Sequence, residues 1–95
     1  MEDADETRIS ALMFGRACRL PLARWILAHP KGRFFQSEPP PSVGAPTAVR
    51  QELHRMVQLG LLERERPDGE NRVYYVRTTA DLWRVFLAAV ELTSP

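Results

Sequence analysis

Side chains able to read hydrogen-bonding edges gather between residues 46 and 59, where Arg50 and Gln51 are adjacent, Thr47 precedes them, and His54 and Arg55 follow about one helical turn later. A guanidinium can donate two parallel hydrogen bonds to guanine O6 and N7, and a glutamine amide can pair with adenine N6 and N7. A threonine beside the free N–H groups of a helix start suits a phosphate oxygen or a thymine methyl. Farther along, Arg64, Arg66 and Arg72, with Asn71 beside the last, form a second polar group able to reach phosphates or a minor groove. Glu63, Glu65, Asp68 and Glu70 interleave with them, so cross-strand ion pairs would explain the same arginines without a ligand. An ordinary solvated helix face would likewise explain the first group.

The elements that must hold these groups follow from periodicity. At 100° per residue, Val49, Leu53, Met56 and Val57 fall on one side of a helix, and Thr47, Arg50, Gln51, His54 and Gln58 on the other. Pro46 suits the first helical position and Gly60 the left-handed residue that closes a helix, which predicts a helix over 46–59. Residues 61–66 and 72–77 are extended in character and flank the turn chemistry of Pro67-Asp68-Gly69-Glu70-Asn71. They predict a β-hairpin over 61–77, edged by Arg64, Arg66, Arg72 and Arg77. Tyr74 and Tyr75 must then point to opposite faces, one of them into the core.

A polar helix, a glycine and a basic hairpin resemble the C-terminal half of a winged helix-turn-helix domain of the ArsR/MarR-like transcription regulators. The motif residues are Thr47-Ala48-Val49, Leu53, Met56 and Gly60-Leu61-Leu62. The resemblance implies an α+β fold of three to five helices with a small antiparallel hairpin wing. It also implies sequence-specific binding of double-stranded DNA by a homodimer, with helix 46–59 in the major groove and the wing on the adjacent backbone or minor groove. Thr47, Arg50, Gln51, His54, Arg55, Arg64, Arg66, Asn71 and Arg72 would be the contacts.

The remaining chain is expected to frame that unit. Residues 1–6 carry four acids and are expected to be a disordered leader, ahead of a domain over 7–92. Ile9, Leu12 and Met13 recur at helical spacing before Gly15, and Leu20, Leu22, Ala23, Ile26 and Leu27 supply the core side of a second helix ending at Ala28, with Pro21 in its first turn. Phe34-Phe35 is expected to pair with the wing. Over 36–44 the resemblance calls for a further helix, but Pro39-Pro40-Pro41 cannot occupy a helix interior, so a polyproline or irregular loop is expected. Thr78-Thr79-Ala80-Asp81 looks like a capping box opening a last helix over 79–92, with Thr93-Ser94-Pro95 as a tail. That helix is apolar nearly all round and must bury more than one face. A two-fold dimer contact through Ile9, Leu12, Met13, Leu82, Trp83, Phe86 and Val90 is therefore expected.

Ninety-five residues make one small domain, marginal without a partner subunit. Hydrophobic residues are 44% and charged residues 26%, the balance of a globular chain, and no apolar run approaches a membrane span. An acidic start and a lone cysteine, Cys18, suit a cytoplasmic protein without internal disulfides. The net charge is only +1, so any basic face must arise by turning arginines one way and acids another. Metal sensing, known in ArsR relatives, uses cysteine pairs or His/Asp clusters that this chain lacks, and no catalytic constellation or phosphate loop is present. No enzyme activity, cofactor or metal is expected. The alternative function is a degenerate winged-helix module that binds protein instead of DNA, with a partner gripping the exposed proline segment. Single-stranded nucleic acid or RNA binding ranks behind both, for want of an aromatic-rich sheet face.

Overall fold

A computed structural model describes residues 3–93. In chain order it contains α1 (Asp3–Phe14), α2 (Arg19–Ala28), β1 (Arg33–Phe35), α3 (Pro46–Gln58), β2 (Leu62–Glu65), β3 (Tyr74–Arg77) and α4 (Trp83–Thr93). The fold is α+β: four helices and one antiparallel sheet of order β1-β3-β2 among the described residues. The short strand at Phe34-Phe35 pairs with the hairpin as expected, Phe34 opposite Tyr75, and Arg64 stands opposite Tyr75 on the other side. Directly opposed residues share a face. One face therefore carries Phe34, Tyr75, Leu62, Arg64 and Arg77 toward the helices, and the other carries Arg33, Phe35, Tyr74, Val76, Glu63 and Glu65.

The core sits between that inner sheet face and the helices. Leu20, Leu22, Ala23 and Ile26 of α2 meet Val49, Leu53 and Met56 of α3 with Phe34, Leu61, Leu62 and Tyr75, and Trp83 and Phe86 of α4 complete it. Burying one such side chain contributes roughly 1.5–3 kcal/mol, so the apolar stripe of α3 outweighs its middling intrinsic propensity. The helix opens with Pro46 at its first position and closes by a Schellman motif. Gly60 has φ +77°, its N–H reaches Val57 O at 3.0 Å, and the Leu61 N–H reaches Met56 O at 2.9 Å.

Five expectations need correction. The leader over 1–6 is not disordered where described: Asp3 begins α1, and buried Glu6 forms an ion pair with Arg24 of α2. Met1 and Glu2 lie outside the described residues. Arg24 also donates to Val90 O and Thr93 Oγ1, both at 3.2 Å, so one guanidinium ties α1, α2 and α4 together. The hairpin strands are shorter than 61–66 and 72–77. A turn closed by the Glu70 N–H on Pro67 O at 3.2 Å, with Gly69 at φ +80°, interrupts pairing beyond Glu65 and Tyr74.

The capping box does not form either. Thr78 Oγ1 is turned back to donate to Gly60 O at 2.7 Å, and the chain enters α4 by i→i−3 bonds from Trp83, Arg84 and Val85, so the helix starts at Trp83 rather than residue 79. Trp83 and Phe86, expected at a dimer contact, face the chain's own core, where Trp83 Nε1 donates to Leu61 O at 2.9 Å. Finally, the expected tail begins a residue early: Thr93 is helical and buried, while Ser94 and Pro95 lie outside the described residues.

Between Phe35 and Pro46 no helix forms. The three prolines lie in a series of turns, with the Glu38 N–H on Phe35 O and the Val43 N–H on Pro40 O, each at 3.0 Å. Glu38 also accepts from the Phe35 N–H at 3.2 Å and meets His29 Nε2 at 3.0 Å, which holds the segment to the α2–β1 turn. No helix is long and apolar enough to cross a membrane among the described residues.

Candidate functional site

The polar side of α3 remains outside the core. Thr47, Arg50, Gln51, His54, Arg55 and Gln58 are all exposed, whereas Val49, Leu53 and Met56 are buried. Beside it runs an open groove of about 480 Å³. Its α3 wall is Arg50, Gln51, His54, Arg55 and Gln58; Arg64 of β2, Gln36 from the loop after β1 and the rim of Tyr75 supply the other wall. Arg64 reaches this groove because its register opposite Tyr75 turns it toward the helices. The groove is thus walled by guanidiniums and amides, with no carboxylate among its lining residues.

The acids of the hairpin do not neutralise its arginines. Glu65 pairs with Arg33 of β1 at 3.2 Å, both about half exposed. No carboxylate lies within ion-pair distance of Arg50, Arg64, Arg66 or Arg72 among the described residues. Cross-strand pairing therefore does not account for these cations. Arg72 instead lies over the Phe35 ring at 4.7 Å, and Arg33 over the Tyr74 ring at 3.9 Å. Asn71 and Arg72 line a separate shallow hollow with Glu70 and Tyr74. Arg66, Asn71 and Arg72 are exposed in the hairpin loop but do not line the α3 groove.

Arg77, read as a hairpin edge, has another task. Its Nη1 donates to Ile26 O at 2.8 Å and Leu27 O at 3.1 Å, where a cation satisfies carbonyls left over at the end of α2.

Three participants escaped the sequence reading. Gln36 sits in an irregular segment that offers no periodicity to place it. Glu52 is the largest surprise, a carboxylate 1% exposed on the inner flank of α3. Arg19 donates to it from Nε at 3.0 Å and Nη2 at 3.3 Å, and the nearest nitrogens of Arg16 and Arg55 stand 3.6 and 3.7 Å from its Oε1. A helical wheel puts Glu52 between Val49 and Arg55, so its burial could have been suspected, although its partners are remote in sequence. The third is Arg16, which nothing in its neighbourhood distinguishes.

Cys18 is buried at the start of α2, and burial, then the charge of Glu52, pushes its thiol pKa above 9.0. Among the described residues no group of three or more His, Cys, Asp and Glu gathers to hold a metal ion.

On α1, on α4 and just before α4, large apolar side chains are left uncovered. Leu12, Met13 and Leu82 are exposed, as are Val85, Leu87 and Leu92, while Ile9 and Val90, also expected at the dimer contact, are half-buried against the core. No family model, curated protein or solved structure matches this chain.

Proposed function

We propose that the chain is a winged-helix transcription regulator that binds double-stranded DNA as a homodimer, with α3 in the major groove and the hairpin of β2 and β3 as the wing. The observation that supports this most is the acid-free groove joining Arg50, Gln51, His54 and Arg55 to Arg64 across the sheet. A row of guanidiniums and amides on an exposed helix face matches the acceptor and donor edges of base pairs, and exposed arginines without carboxylate partners match phosphates. The order of elements, with β1 paired to the hairpin behind α3, is compatible with a winged helix. The alternative of a protein-binding proline segment draws less support, because turns tie Pro39-Pro40-Pro41 to the fold instead of leaving an extended ligand.

In the dimer, Leu12, Met13, Leu82, Val85, Leu87 and Leu92 meet their two-fold mates. Two recognition helices then read half-sites about one helical turn apart or a multiple of it. Selection of duplexes from a random pool, followed by titration of the selected site, tests the proposal. Arg50→Ala is expected to weaken the selected site by roughly 1–3 kcal/mol and to relax preference at one base pair. Equal affinity of the Arg50→Ala protein for that site would take α3 out of the interface.

A further inference from the structure

We infer that Arg16, in the turn between α1 and α2, is a second backbone anchor that grips a DNA phosphate beside Arg55 of α3. This rests on the DNA-binding function proposed above. Glu52 brings the two together: the guanidiniums of Arg16, Arg19 and Arg55 converge on the same Oε1 atom, at 3.6, 2.9 and 3.7 Å. One carboxylate among three guanidiniums leaves a strong local excess of positive charge. Arg19 is spent inside the fold, because it donates to both Glu52 oxygens and its Nη1 donates to Phe14 O at 2.8 Å. Arg16 and Arg55 are not: both stand beyond hydrogen-bond distance of Glu52, and no other acceptor takes their guanidinium N–H groups among the described residues. Their side chains are 28% and 48% exposed, so the unspent charge reaches solvent.

The main chain beneath Arg16 is held in place. Fully buried Ser10 donates to Arg16 O at 2.6 Å and accepts from the Leu20 N–H at 2.9 Å, so little ordering is left to occur on binding. Position favours the same partner. At 100° per residue Arg50 and Arg55 lie roughly 140° apart around α3; both line the groove with Arg64 and Gln36, and Arg55 also approaches Glu52, which brings it beside Arg16. A helix seated in a major groove has a phosphate backbone along each flank. Arg16 with Arg55 meets one of them, and the proline-bearing loop adds no cation of its own.

The test is the salt dependence of duplex binding by the full chain, followed by fluorescence anisotropy for wild type, Arg16→Ala, Arg16→Lys and, as a control on α4, Arg84→Ala. Each phosphate contact contributes about 0.9 to the slope of log K against log salt concentration. Arg16→Ala is expected to flatten the slope by about that amount per bound domain, while Arg16→Lys and Arg84→Ala keep the wild-type slope. Should Arg16→Ala melt at the working temperature, Arg16→Gln makes the same comparison, since it removes the charge and keeps an N–H donor for Glu52. A wild-type slope in a folded Arg16→Ala or Arg16→Gln protein, with the Arg50→Ala defect intact, overturns the second anchor and leaves DNA binding standing. Salt-insensitive or absent binding by the wild-type chain overturns both.

Discussion

Cys18 and Gly44 are packed so closely that each constrains the other. A Cβ on Gly44 would come within 2.7 Å of Cys18 Cβ, a contact that real side chains do not make, so the loop before α3 can seat against α2 only through a glycine. The thiol there is a small buried group, 5% exposed, and its pKa is raised chiefly by desolvation and next by Glu52. The sign of the pH effect follows from that shift. The folded protein holds the thiol proton above 9.0, where the unfolded chain releases it, so this group's stabilisation is complete below 9.0 and is lost as pH rises through the folded value. Denaturant titrations of wild type and Cys18→Ala over the alkaline range check it: wild type loses stability relative to the variant above pH 9.0, and parallel curves would show an unshifted thiol.

At the scale of elements, the junction between α3 and β2 decides where the polar ridge points. Gly60 turns the chain with φ +77° and has open space where a Cβ would sit, so Gly60→Ala meets only backbone strain. A loss of about 1 kcal/mol is expected, with the fold unchanged. Gly44→Ala, by contrast, forces α2 and the proline-bearing loop apart and is expected to cost about 1–3 kcal/mol, the range of an overpacked core. Thermal unfolding of the two variants side by side measures the difference, and equal losses would mean that the seam at Cys18 yields freely. The hairpin obeys a similar logic, since register alone decides that Arg64 faces α3 while Glu63 and Glu65 face away.

For the whole molecule, the uncovered apolar surface on α1 and α4 is the feature that a single copy leaves unexplained. Leu92 is 83% exposed, Leu12 74% and Met13 67%, all contributed by the two helices that pack on α2. Covering them is the role given to the proposed dimer. In the proposed dimer, Val85→Glu combined with Leu92→Glu is expected to give a species that sediments as one chain and a melting temperature that no longer climbs with protein concentration. Unchanged sedimentation as a dimer would move the two-fold contact elsewhere on the surface.

Read alone, the chain determined its local elements wherever one period or one special residue settles the conformation. The 3.6-residue stripe of α3, Pro46 at its start and Gly60 at its end needed no tertiary information, and the three prolines excluded a helix from 36–44 whatever surrounds them. Only the tertiary structure decided which charged residues remain free. Glu52, Arg19 and Arg77 have the composition of surface groups, yet packing buries the first and spends the other two on a carboxylate and on helix carbonyls. Trp83 and Phe86 turned inward for a related reason: the core they meet, and the Leu61 carbonyl that accepts from Trp83 Nε1, come from segments remote in sequence. Helical and extended periods are properties of neighbouring residues, whereas the partner of a charge is chosen by whichever remote segment folds against it.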